Sequence, residues 1–90
     1  METFTQPKIT GYRQLTEEEV ALMNEGKALA EQCGAYIAKL RNRDAEIALA
    51  PPTTGDAPRT LDQRWISIGA TDLQRGFMAV IRGIAQPTTF

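Results

Sequence analysis

Ninety residues with a single cysteine and no histidine make one small domain, without an internal disulfide and without the commonest nitrogen ligand of metal sites. Ten basic residues against eleven acidic ones leave a formal charge of −1, which lacks the basic excess that binding a DNA or RNA polymer calls for. No signal peptide and no apolar run of membrane-spanning length stand out, so the chain is read as soluble and cytosolic, with no membrane partner.

Residues 1–15, "METFTQPKITGYRQL", carry Pro7, Gly11 and scattered threonines, and are predicted to form an irregular or short-helical arm. "TEEE" at 16–19 is a capping box: the Thr16 hydroxyl can accept from the Glu19 N–H while the Glu19 carboxylate reaches back to the cap. Leu15 and Val20 fit a hydrophobic staple across it, and three glutamates suit the positive end of the helix dipole. The first long helix is therefore predicted over 16–49, with no breaker before Pro51. Leu22, Gly26, Leu29, Cys33, Tyr36, Leu40, Arg43 and Ile47 follow the 4-3-4-3 spacing of a heptad seam. Cys33 on that seam reads as a small apolar side chain rather than a reactive thiol. Glycine at position 26 costs about 1 kcal/mol relative to alanine in a helix interior, so it marks a close approach by another backbone or by a ligand.

"APPTTGDAP" at 50–58 is the connector, and a second long helix is predicted over 59–85, followed by a tail at 86–90. Two long helices joined by a short loop fold back on one another, so the expected class is all-α, an antiparallel helical hairpin. The second helix is apolar on more than one side. Leu61, Trp65 and Ile68 form one stripe, and Ile66, Ala70, Leu73, Phe77, Val80 and Ile84 form another. One partner helix covers one stripe only, which predicts a homo-oligomer with this helix near its centre. Gly69, Gly76 and Gly83 recur every seven residues on one face and call for close helix packing or a ligand in compensation.

No catalytic constellation emerges. There is no triad, no metal-ligand spacing and no cofactor motif, and "GATDLQRG" lacks both the Lys-Ser/Thr end of a phosphate loop and a preceding strand, so an enzyme is not expected. What stands out instead is polar chemistry misplaced on apolar helices. Thr71 and Arg75 lie four residues apart on one face, and Arg82 follows Arg75 by one heptad. Asp72 reads as a partner in ion pairs between subunits. For Arg75 two readings stand: the same ion pairs, or a ring of converging guanidinium groups filled by phosphates. Tyr12 and Lys27 also admit two readings, a locally packed ring beside a solvated lysine, or a ring stacking on a nucleobase beside an ammonium on phosphate.

The stretches "YRQLTEEEVALMNEGKALAEQ" and "RWISIGATDLQRGFMAVIRGIAQP" together resemble the phage anti-CBASS sponge proteins, over most of the chain except the first ten residues and the connector. CBASS is a bacterial defence that signals infection with cyclic oligonucleotides. The resemblance implies a non-enzymatic helical-hairpin hexamer, acting in the cytoplasm of the infected bacterial host. Such proteins bind and sequester cyclic dinucleotides, such as 3′,3′-cGAMP, and cyclic trinucleotides, such as cyclic tri-AMP, in separate pockets, so that effectors stay inactive. It further implies that Tyr12 and Lys27 hold the dinucleotide, with Gly26 keeping the helix slim beside it. For the trinucleotide site, Thr71 and Arg75 are the matching candidates, with Arg82 as a rival for the phosphate. The alternative reading is a helical interaction or assembly module of a phage with no small-molecule ligand.

Overall fold

The computed structural model describes residues 9–51, Gly55 and 59–90. Residues 1–8 of the predicted arm, and 52–54 and 56–58 of the predicted connector, lie outside the described residues. Helix α1 spans Glu17–Leu49 (33 residues) and helix α2 spans Gln63–Ala85 (23 residues), and the described residues contain no strand. The chain is an all-α hairpin. Contacts at both ends fix its sense: Arg13, before α1, bonds Ile84 and Ala85 at the end of α2, while Asp44, late in α1, bonds Leu61 and Gln63 at the start of α2.

The capping box at Thr16 is complete. The Glu19 N–H donates to Thr16 Oγ1 at 3.1 Å, and the Thr16 N–H donates to Glu19 Oε1 at 2.8 Å. At the other end, Ala50 turns extended ahead of Pro51, which disfavours helical geometry in the residue before it. Helix α2 starts four residues later than position 59, where its sequence places the start. The cause is Asp62, whose side chain accepts from the Arg64 and Trp65 N–H groups as N-cap. Upstream, the Leu61 N–H is taken by Asp44 Oδ2 at 2.9 Å instead of entering the helix. Helix α2 ends at Ala85 as expected, with Gln86 in the left-handed region (φ 44°) and its N–H on Arg82 O at 2.8 Å; Pro87 follows.

The two helices meet along a seam that only half matches the predicted one. Gly26, Cys33, Leu40, Arg43 and Ile47 are partly covered as expected, but Met23, Ala30, Ile37 and Asp44 are partly covered as well. Leu22, Leu29 and Tyr36 are exposed at 43%, 49% and 58%, and make a separate apolar stripe. The physical reason is rotation: neighbouring helical positions differ by about 100°, and both stripes are apolar enough to serve. On α2 the partly covered apolar positions include Ile66, Ala70, Phe77, Ile81 and Ile84, with Ile81 where Val80 was expected, and Ile68 of the other predicted stripe is partly covered too. Trp65, Leu73 and Val80 face solvent in the protomer.

Among the described residues none is buried. The accessible surface is 7949 Å², against about 5200 Å² for a compact monomer of this mass. An alanine Cβ at Gly26 would lie 3.0 Å from Ile81 Cδ1, so the close approach expected there is made by α2. At Gly69, Gly76 and Gly83 a Cβ would meet nothing within 4 Å, so no contact among the described residues compensates for those glycines.

Candidate functional site

The open end of the hairpin is built by the arm, the first turn of α1, the last turn of α2 and the tail. Ile9 to Tyr12 form a tight turn, with the Tyr12 N–H on Ile9 O at 3.2 Å and Gly11 at φ 90°, a conformation that favours glycine. Gly11 O accepts from the Thr88 N–H at 2.7 Å, and a Cβ at Gly11 would collide with Thr89 Oγ1. Arm and tail therefore pack directly on one another, which requires the missing side chain.

Arg13 joins this unit to both helices. Its Nε donates to Ala85 O at 2.9 Å and its Nη2 to Ile84 O at 3.0 Å, satisfying carbonyls that a helix end leaves without partners. The same guanidinium grips both oxygens of Glu19, through Nη1 at 3.1 Å and through Nη2. The pairing holds the Glu19 carboxyl down to about 2, mainly through the Arg13 hydrogen bond, with the Thr16 N–H adding to it. The Arg13 guanidinium is raised correspondingly, chiefly by its hydrogen bond to Glu19. At the far end of the hairpin, the Asp44 carboxyl lies below its ordinary range, principally because the Gln63 amide donates to it, and also through Leu61 N–H and Arg43.

Between the helices, running from this open end, lies a groove of about 1100 Å³. Its floor is apolar, with Met23, Ile37, Phe77 and Ile81, and its cations are Lys27, Arg41 and Arg82 against one acid, Glu31. Tyr12, 58% exposed, stands at the open end with Pro87. The groove thus gathers Tyr12, Lys27 and Arg82. Lys27 makes no salt bridge among the described residues, whereas Arg82 Nη2 donates to Phe90 O at 2.9 Å and Thr89 O at 3.3 Å. Arg41, towards the other end, donates to Ser67 Oγ at 3.3 Å. Such an arrangement can take a flat ring against the Tyr12 face and an anion against Lys27 in one occupant.

Thr71 and Arg75 do not line this groove. Both are exposed on α2, as is Asp72, and none of the three has a side-chain hydrogen bond or ion pair among the described residues. Gly26 spends its open side on Ile81. Arg13 and Glu31 at the site, and Asp44 at the far end of the hairpin, carried no signal in the sequence. Arg13 and Asp44 act through partners distant along the chain, and Glu31 reads as an ordinary solvated helix glutamate. No cluster of three or more His, Cys, Asp or Glu side chains is placed to hold a metal among the described residues. No described helix is long and apolar enough to cross a membrane.

Fold and groove together define a class: a small helical-hairpin protein whose interhelical groove stays open, with an aromatic ring and cations at its mouth. No family model matches the chain. It is, however, 35% identical over 99 aligned positions to anti-CBASS protein 2 of Pseudomonas phage JBD67, an alignment covering 89% of this chain and 92% of that protein. Identity of that extent over nearly both full lengths places this chain in the phage anti-CBASS protein family.

Proposed function

We propose that this chain is a non-enzymatic sponge, which binds and sequesters cyclic di- and trinucleotide messengers in the cytoplasm of the infected host and so keeps CBASS effectors inactive. The observation that carries the reading is the groove that brings the Tyr12 ring and the unpaired Lys27 ammonium together at the open end of the hairpin. A cyclic dinucleotide presents flat bases and bridging phosphates, which these two groups suit. The groove's volume is above the roughly 300–1000 Å³ that encloses drug-sized ligands, so a nucleotide ligand has room. Because Arg82 lines the same groove, it is assigned to the dinucleotide site and not to the trinucleotide site.

Thr71 and Arg75 are proposed for a separate trinucleotide pocket formed where subunits meet. Their exposure on the outer side of α2, beside glycines that nothing among the described residues approaches, supports that placement. Three arginines converging on one axis repel one another unless anions stand between them, and a ligand with three phosphates supplies one for each. The exposed stripe of Leu22, Leu29 and Tyr36, together with a protomer lacking any buried described residue, supports assembly, with a hexamer as the proposed form.

The same stripe favours a second reading, an assembly module with no small-molecule ligand. Titration calorimetry separates the two. The sponge gives saturable heat with 3′,3′-cGAMP, a second event with cyclic tri-AMP in the saturated sample, and intact ligands after denaturation. Lys27→Ala, which removes one charge-assisted contact of about 1.5–3 kcal/mol, weakens the first event roughly ten- to a hundredfold and spares the second. No heat from either ligand, in a sample of confirmed oligomer size, leaves the assembly module.

A further inference from the structure

An arginine next to the stacking tyrosine invites assignment as a phosphate contact. The hydrogen bonds of Arg13 argue otherwise. A guanidinium carries five N–H donors, and Arg13 directs five hydrogen bonds to protein oxygens: Ala85 O from Nε, Gln14 O and Glu19 Oε1 from Nη1, and Glu19 Oε2 and Ile84 O from Nη2. Four of these bonds hold the fork on Glu19, Ile84 and Ala85, and the fifth donor lies 3.5 Å from Gln14 O, so the guanidinium is directed at the protein and not into the groove. Glu19 is committed as well, since it also accepts from the Thr16 N–H in the capping box.

We infer that Arg13 is the positioning residue of the groove mouth: a clasp that fixes the Tyr12 turn to the start of α1 and the end of α2, without touching the ligand. The inference rests on the dinucleotide site proposed above. Tyr12 is held from one side by the Ile9 turn and from the other by the peptide bond to Arg13, and its ring stays 58% exposed. Without the clasp, the first turn of α1 keeps its own capping hydrogen bonds, and among the described residues the arm keeps the Gly11–Thr88 hydrogen bond to the tail. The ring would then sample many positions relative to Lys27, and a ligand would have to order it on binding. Two carbonyls and a bidentate carboxylate also demand the planar fork. A lysine ammonium in the same place restores the charge but cannot span all four acceptors.

The test uses the full chain as wild type, Arg13→Ala and Arg13→Lys, with hydrogen exchange of the free protein and calorimetry with 3′,3′-cGAMP. Amides of residues 9–14 and 86–89 are expected to exchange at least tenfold faster in both variants, while the middle of α1, helicity and oligomer size stay as in wild type. Dinucleotide affinity is expected to fall more than tenfold in both, with lysine giving no rescue. Full rescue by lysine makes Arg13 a charge contact to the ligand and overturns the inference. Unchanged exchange in the arm and tail overturns it too, and so does loss of helicity or assembly, which makes the role structural. Should the wild type bind no dinucleotide, the proposed function fails, and the exchange data still decide whether the clasp exists.

Discussion

Replacing Gly26 by alanine sets two opposed terms against each other. The helix interior favours alanine over glycine by about 0.8–1.0 kcal/mol. Against this, the new Cβ would stand 3.0 Å from Ile81 Cδ1, inside the ordinary contact range. Relief comes from Ile81 moving a few tenths of an ångström, and a strained side-chain torsion costs about 0.5–1.5 kcal/mol. The expected result is near cancellation, with Gly26→Ala within about 0.5 kcal/mol of wild type. In an Ile81→Ala background the obstruction is gone, and the same substitution is expected to stabilise by the full 0.8–1.0 kcal/mol or so. Denaturant melts of the four proteins at one protomer concentration measure the coupling, the fixed concentration being needed for any assembling chain. A coupling near zero would refute the reasoning and hand Gly26 back to the ligand. The dinucleotide affinity of Gly26→Ala gives an independent check. If Gly26 serves the helix–helix approach, that affinity is preserved.

Other expectations follow from the clasp and the groove. Glu19 titrates at about 2 in the folded chain against an ordinary 4.5, so its stabilising contribution is complete above the ordinary value and is lost as pH falls from there through about 2. Thermal melts of Glu19→Gln between pH 2 and 6 should therefore fall less steeply with acid than those of wild type, and parallel curves would deny the linkage. Among the described residues Glu31 is the one acid lining the groove, beside Lys27, Arg41 and Arg82, and Glu31→Gln is expected to tighten binding of an anionic ligand a few-fold at low salt, by calorimetry. Gly11→Ala forces a side chain into positive φ and onto Thr89, a strain of about 1–3 kcal/mol. It should raise protease cleavage within the arm and tail well before α1 is cut.

The local signals in the sequence were reliable where their partners lay within a turn of helix. Thr16 and Glu19 announce the start of α1 three residues apart, and the Gln-Pro pair after Ala85 ends α2 where expected. The start of α2 is an exception: its cap, Asp62, binds N–H groups two and three residues on and is local, while Asp44 holds the Leu61 amide, 17 residues away, outside the helix. The α1 seam lies one position away from the expected one at Leu22, Leu29 and Tyr36. Leu22, Leu29 and Tyr36 look as apolar as Met23, Ala30 and Ile37, so composition alone does not say which stripe meets α2. Tyr12 and Lys27 stood out by residue type and share a groove. Arg13 did not, since its meaning comes from carbonyls 71 and 72 residues further on.

That separation has a consequence for synthesis. The capping box of α1 involves only neighbouring residues, so the first helix has all it needs to begin soon after its own residues are made. The clasp must wait for Ile84 and Ala85, and one wall of the groove comes from α2. A nascent chain thus carries helix α1 well before it carries the mouth of the groove, and Tyr12, which precedes that helix, is set in place only once the end of α2 has been made.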